Sequence, residues 1–425
     1  MKKLMLIIVF ILLSNLTFSQ DKEEQYPLAT IYPHQIYGHT INHFFLDLKG
    51  RENKVSTRQE AKLFFQNEDM DGIRINIHGE KKKPAHPESG VVDSTYYTTM
   101  LQSIRNAKAA RGDKPFYVFA SKKLDGKTSF PSWVKDNNGI IPEKYVELLM
   151  DYLKFMKEKN INVDYLGIDN ETNFNEGNIT PEKFNEIVNL LREKCENNNI
   201  TFPKIVGPDR YEPMGERSDC WIKLFMDAGY GDQLDIYGTH YYPNHRYYDK
   251  LTYELGLIGD RPFWSTELHW DSASNTGSAY NSAEQAICTL WDQTDNGLNA
   301  FMWWGNGLGY ICQEFSAPIH GSQPCKMEDF DGESTTEYGK LQTRSFINGN
   351  TLEIYVINNN SRIINSAPFK VDSATISGDV TATQFTENGS ESGYTNTIKP
   401  VTNNVFLYKI DANSFIHFTV PLTFE

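Results

Sequence analysis

Three short apolar runs in this 425-residue chain each end in a carboxylate: Val163–Glu171 (VDYLGIDNE), Lys204–Asp209 (KIVGPD) and Pro262–Glu267 (PFWSTE). Acids brought together from separate strands can do general acid–base and nucleophilic work. One protonates a departing oxygen and the other attacks or activates water, which is the requirement for cleaving a glycosidic bond. The candidate catalytic acids are therefore Glu171, Asp209 and Glu267. Their placement at strand ends implies a fold in which strand ends converge on one cavity, and a (β/α)8 barrel does this.

The elements that must position these acids are legible as alternation. Between about residues 35 and 310, strand-like and helix-like segments alternate, as in parallel α/β architecture. Eight strands are predicted, at 41–48, 72–77, 116–120, 165–168, 204–206, 234–238, 263–265 and 299–304. Most are short and apolar throughout, the pattern of strands covered on both faces. Helices are predicted from Pro142 to Asn160 and from the capping Thr180 and Pro181 onward, each with Pro in its first turn and apolar residues at helical spacing. After Gly339 the texture changes to alternating strands rich in Ser, Thr and Asn, punctuated by Asn-Gly turns. The predicted fold is thus an α/β (β/α)8 TIM barrel over residues 25–340, followed by a small C-terminal all-β sandwich over 341–425.

Residues 1–19 have the form of a secretory signal: Lys2 and Lys3, then the apolar run Leu4–Leu16, then small residues around Ser19. An exported, monomeric protein without a membrane anchor is expected. A formal charge of −14 argues against a nucleic-acid partner. The five cysteines show no metal spacing. Cys312 and Cys325 can bridge one loop, and the odd count leaves a thiol free. Asp329-Phe-Asp331 superficially suggests a calcium loop but lacks the remaining ligand spacing, so no metal and no cofactor is expected.

Other strand ends supply binding candidates. Arg74, on the second strand, would sit in or at the mouth of the barrel, where it can pair with a carboxylate and keep it ionised. Asn170, before Glu171, can hold a sugar hydroxyl. His78, Lys81, Lys82, Lys83, Lys122, Lys123, Arg210, His240, His245, Arg246 and His269 make the predicted mouth basic although the chain is acidic. Cations gathered at one rim focus field on an anionic ligand, and sulfate esters fit such donors. Tyr242, Trp270 and Trp304 are candidates for stacking on sugar faces.

Asn170-Glu171 at the fourth strand and Glu267 at the seventh resemble the clan A glycosidases, whose acid/base Glu follows Asn and whose nucleophile Glu ends the seventh strand. Gly238–Pro243 (GTHYYP) and Phe301–Trp304 (FMWW) are similar to that clan as well. On this resemblance Glu171 is acid/base, Glu267 is nucleophile, and the substrate is β-linked: porphyran, carrageenan or xylan. Asp209 opens another pairing. With Asp209 and Glu267 at strand ends and a basic, aromatic cleft, the chain also resembles the endo-1,3-fucanases of glycoside hydrolase family 168. That resemblance implies retaining hydrolysis of internal α-1,3 linkages in sulfated fucan without a metal, with Asp209 attacking, Glu267 as acid/base, and Glu171 orienting a hydroxyl. Under both resemblances the partner is a polysaccharide, anionic under the second. A glycan-binding barrel without catalysis is the alternative from a different class.

Overall fold

The computed structural model describes residues 29–50, 52–78, 84–122, 130–171, 179–241, 248–268, 293–304, 310–328, 341–387, 389 and 393–424. Eight parallel strands close into a barrel in chain order: His43–Asp47, Gly72–Ile77, Tyr117–Lys122, Tyr165–Gly167, Lys204–Arg210, Ile236–His240, Phe263–Leu268 and Leu298–Trp304. The last pairs with the first, Ala300 through Trp304 running beside His43 through Asp47. Each coincides with a strand predicted from its apolar run. The main difference is at the C-terminal ends, where the third, fifth, sixth and seventh strands continue for two to four residues. The inward polar residues there, such as Ser121, Asp209 and Thr266, meet one another inside the mouth.

Alternation along each strand sorts side chains between two layers. Phe45, Phe119, Tyr165, Val206, Ile236, Trp264, Ala300 and Met302 point inward and fill the barrel. Trp264 meets Tyr165 edge-on at 4.5 Å in this aromatic plug. The opposite residues, such as Ile73, Ile75, Leu166, Ile205 and Trp303, pack under the helices. Helix Pro142–Glu158 buries Tyr145, Leu148, Leu149, Tyr152, Leu153 and Met156 on that layer. Helix Pro181–Asn197 starts where the Thr180 hydroxyl accepts from the Lys183 N–H, and buries Phe184, Ile187, Val188 and Leu191. Among the described residues no helix is long and apolar enough to cross a membrane.

The β-rich region is a curled sheet running from Tyr394–Ile398 through Val380–Thr386, Ser414–Thr423, Thr351–Asn358, Leu341–Asn348, Gln323–Glu328, Ala29–Ile36 and Ile364–Val371 to Val405–Ile410. Its ends face each other: Phe418 packs on Phe369 at 5.0 Å and on Phe406 at 5.3 Å. Two members, Ala29–Ile36 and Gln323–Glu328, come from inside the 25–340 span allotted to the barrel by sequence texture. Strand partners that distant in sequence leave no local mark, so the boundary by texture was drawn too wide. The outer face of the sheet docks on helix Tyr310–Ile319. There His417 lies between Glu314 (2.6 Å) and Glu353 (2.7 Å), and the Tyr355 hydroxyl donates to the Glu314 carbonyl. Cys325 is a free buried thiol 3.2 Å from the Ser345 hydroxyl, so the bridge to Cys312 that the sequence allowed is not made. Residues 1–19 and 329–340, which contain the signal and the calcium-loop pattern, lie outside the described residues.

Candidate active site

The C-terminal end of the barrel holds an ionic cluster built around Arg74, which is wholly buried. Its Nη1 donates to Asp47 Oδ2 at 2.7 Å and to Glu267 Oε2 at 3.1 Å. Its Nη2 donates to Asp209 Oδ2 at 2.6 Å, to Asn170 Oδ1 at 2.9 Å and to Ser121 Oγ at 3.4 Å. One guanidinium thus ties the ends of the first, second, third, fourth, fifth and seventh strands together. Burial opposes the charge on Arg74, but Asp209, Asp47 and Glu267 around it hold it protonated well above its ordinary value.

Two strand irregularities aim the acids. The pairing of the fifth and sixth strands slips between Pro208 and Arg210, and that of the sixth and seventh slips between Ser265 and Glu267. Such a bulge turns a side chain away from simple alternation. Asp209 takes φ +57° and Glu171 φ +53°, left-handed conformations uncommon outside glycine. Small neighbours make room for Asp209. A Cβ on Gly167 would lie 3.0 Å from Ser121 Oγ and 3.4 Å from Asp209 Oδ2, and one on Gly238 would lie 2.8 Å from Thr266 Cγ2.

Glu171, Glu267 and His240 form the upper part of the cluster. His240 Nδ1 is 3.2 Å from Glu171 Oε1, and its Nε2 is 3.6 Å from Glu267 Oε2. One oxygen of each Glu and one nitrogen of His240 all lie within 4.8 Å of one another. This spacing suits a catalytic carboxylate pair bridged by a histidine. It is also the single group among the described residues with donors close enough to hold a metal ion. Glu171 is the more open of the two acids, its side chain 12 % exposed against 1 % for Glu267.

Asp209 lies deeper. It is 0 % exposed, and its oxygens meet Arg74, Ser121 at 3.3 Å and the Thr266 hydroxyl. Burial opposes its ionisation. Arg74 first, then His240, Lys49 and the Thr266 hydroxyl outweigh this and hold it below the usual carboxylate range.

Two residues of the cluster carried no sequence signal strong enough to select them. Asp47 ends the first strand, and Lys49 follows two residues later with its side chain fully enclosed. Lys49 Nζ donates to Asn170 Oδ1 and lies 3.4 Å from Glu267 Oε2. The inward alternation Phe45, Asp47, Lys49 was the available clue; a charged end to an apolar run reads more simply as a turn. The backbone of Lys49 is fixed from both sides: its N–H donates to Asp47 Oδ1 (2.8 Å) and its carbonyl accepts from Trp304 Nε1 (2.9 Å). Trp304, a stacking candidate, is half-buried and sits at this wall of the mouth.

Three other predicted binding residues are not aimed at the acids. Lys122 is buried against Asp169 (3.2 Å) with its ammonium 3.6 Å from the centre of the Phe130 ring. It falls on the helix-facing side, because Phe119 and Ser121 occupy the inward positions of that strand. Arg210 is turned outward too, where the charge of Glu254 acts on it ahead of Tyr237 and Cys220. His78 packs edge-on against Tyr97 at 5.1 Å, with Nε2 3.5 Å from Glu52. Lys81, Lys82, Lys83, Lys123, Tyr242, His245, Arg246, His269 and Trp270 lie outside the described residues.

A family model described as glycosyl hydrolase family 59 matches residues 123–297, the span that carries Asn170, Glu171, Asp209, His240 and Glu267. The search of curated proteins finds no match. Among solved structures, the fold is similar to a GH30 endoxylanase from Clostridium papyrosolvens C71. That match has 16 % identity and a TM-score of 0.69, and covers 93 % of this chain and 100 % of the other. It is similar to a conserved exported protein from Bacteroides fragilis at 15 % identity and TM-score 0.70, covering 92 % and 100 %. A GH39 β-xylosidase from Caulobacter crescentus matches at 12 % identity and TM-score 0.59, covering 93 % and 99 %.

Proposed function

We propose that this chain, a (β/α)8 glycoside hydrolase of clan A, cleaves internal linkages of a β-linked polysaccharide with retention, using Glu171 as acid/base and Glu267 as nucleophile. The observation that carries this reading is the spacing of the pair: an oxygen of each within 4.8 Å of the other, with His240 against both. Retaining enzymes hold their two carboxyl groups about 5–5.5 Å apart, because the nucleophile must reach the anomeric carbon from the face opposite the acid. Glu171 donates a proton to the leaving oxygen as Glu267 bonds to the anomeric carbon. Water, deprotonated by Glu171, then displaces Glu267. Arg74 keeps Glu267 anionic between turnovers.

Asn170 fits a substrate hydroxyl beside the reacting carbon. Its Oδ1 is taken by both Arg74 and Lys49, which leaves the Nδ2 donors, buried and without a partner among the described residues, for a ligand oxygen. The likeness to the GH30 endoxylanase supports xylan as the first glycan to test. Porphyran and carrageenan follow.

A second reading, endo-1,3-fucanase action on sulfated fucan, is favoured by the ionised state of Asp209, held 2.6 Å from the same guanidinium that binds Glu267. In it Asp209 attacks and Glu267 is acid/base. Its weaker point is access, since Asp209 is enclosed and the described cations Lys122 and Arg210 face away from the acids. In both readings residues 1–19 direct export, which N-terminal sequencing of the mature protein tests.

Incubation with xylan, porphyran, carrageenan and sulfated fucan, followed by mass analysis of released oligosaccharides, identifies the substrate. E171Q and D209N then separate the readings. Loss of turnover in E171Q on a β-glycan supports the first. An E171Q enzyme that still depolymerises fucan, with D209N inactive, replaces it by the second. Tight retention of a glycan with no new reducing ends would mean capture without catalysis and would overturn both.

A further inference from the structure

Lys49 has no role in the two-carboxylate scheme, yet its fully enclosed Nζ lies 3.4 Å from Glu267 Oε2; burial and Arg74 pull its pKa below the ordinary lysine value, while Glu267, Asp47 and Asp209 favour its charged form. The first strand is pinned at this residue by Asp47 and Trp304, so the Lys49 side chain enters the cluster from a fixed root. Its Nζ and the Nη1 of Arg74 (3.1 Å) both approach Glu267 Oε2. The two cations therefore bear on one oxygen, Oε2, and the bond to carbon is assigned to the other, Oε1.

The two half-reactions feel this arrangement in opposite ways. When Oε1 bonds to the anomeric carbon, Glu267 loses its negative charge and Oε2 becomes an ester carbonyl, so cations at Oε2 hold back ester formation. When the glycosyl-enzyme breaks down, the C1–Oε1 bond cleaves and its electron pair returns to Glu267. The water oxygen bonds to C1, and the water proton goes to Glu171. Negative charge then develops on Glu267, and a cation already in place stabilises it without reorganisation.

Resting on the assignment of Glu267 as nucleophile, we propose that Lys49 is a catalytic residue of the second half-reaction, stabilising Glu267 as it leaves the sugar. Arg74 is shared among Asp47, Asp209, Asn170 and Glu267, so its charge is divided. Lys49 adds a second positive charge at the oxygen that needs it. Lys49 also donates to Asn170 Oδ1, a role that a neutral donor can fill.

The test uses the 2,4-dinitrophenyl β-glycoside of the sugar that the polysaccharide assay identifies, with its 2-deoxy-2-fluoro analogue as the trap. K49M and K49Q should lower kcat about 10–100-fold and lower KM in proportion, so that kcat/KM changes little, and a pre-steady-state burst of dinitrophenol should appear. K49R should recover much of the wild-type kcat. K49Q keeps a hydrogen-bond donor for Asn170 without the charge, so it reads the electrostatic effect even if K49M folds poorly. A fall in kcat/KM with KM unchanged or raised and no burst, in a K49Q protein that melts like wild type, would overturn the proposal. Peptide mapping of the trapped enzyme separates the premise: label on Glu267 with no burst in K49Q refutes the role of Lys49 alone, whereas label on Asp209 refutes the nucleophile assignment and the role with it.

Discussion

The two ends of the barrel each carry an ionic cluster, buried at the mouth and partly exposed at the other end, and they differ in how completely their charges are matched. At the N-terminal end, Asp69 and Asp71 face Arg111, Lys114, His43 and His320, with His320 3.0 Å from Asp69 and His43 2.7 Å from Asp71. Asp71 also accepts from the Phe44 N–H, and His320 Nε2 donates to the Asn42 carbonyl. Cations outnumber acids there, and the groups satisfy one another. At the mouth, Asp47, Asp209 and Glu267 crowd around Arg74 and Lys49, while Arg74 Nε and Asn170 Nδ2 have no partner among the described residues. In the first arrangement Asp69 and Asp71 are matched by their neighbours; the second leaves hydrogen-bonding capacity unspent among the described residues. Buried polar groups left unsatisfied are costly, and Arg74 Nε and Asn170 Nδ2 carry that cost beside the candidate acids.

This contrast is open to direct attack. The largest effect is expected from E267Q, which should lower turnover by roughly 10³-fold or more with a melting temperature equal to or above wild type. A clear loss of stability instead would place Glu267 among the structural ions. Next is R74M, which leaves Asp47, Asp209 and Glu267 without their shared cation. It should cost about 3–5 kcal/mol in denaturant unfolding as well as activity, and a stable but inactive R74M would show that the mouth carries no structural load.

At the opposite end, H320Q should leave kcat unchanged and cost about 1–3 kcal/mol. Burial works against the charge on His320, but Asp69 and Asp71 raise its pKa to about 10 from the ordinary 6.5. Its stabilisation is therefore fully present below pH 6.5 and is lost as pH rises through about 10. The wild-type unfolding midpoint should fall over that window, and the H320Q midpoint should fall less.

The smallest effect concerns Glu68, beside that cluster. Its side chain is buried, both oxygens have no partner among the described residues, and burial raises its pKa to about 8. The unfolded chain releases this proton from about pH 4.5 upward while the folded chain keeps it until about 8, so stability declines across that interval. E68Q should remove the decline and add about 1–2 kcal/mol at neutral pH. An E68Q protein less stable than wild type would mean that the carboxyl has a structural partner.

Much of this was legible in the chain because it is local. A short apolar run of three to eight residues between helical segments marks a covered strand, and all eight barrel strands were visible in that way. Acids at the ends of the fourth, fifth and seventh runs had to lie at one end of the barrel, since parallel strands all finish on the same side. Lys122 and Arg210 show the limit. Their positions along the chain suggested the mouth, but alternation and a bulge turned them outward, and a one-residue slip reverses the face that a side chain occupies.

What the order of residues determined by itself was the set of elements and the end of the barrel at which Glu171, Asp209 and Glu267 gather, because hydrophobic period and strand direction are short-range properties. Only the tertiary structure decided that Glu171 and Glu267 share His240, that Asp209 lies beneath them, and that Lys49 reaches Glu267. It also decided that strands near residues 30 and 325 complete the distal sheet. Each of these depends on bulges, barrel closure and contacts between residues tens to hundreds of positions apart, and the energy of such contacts exists only once the chain has folded.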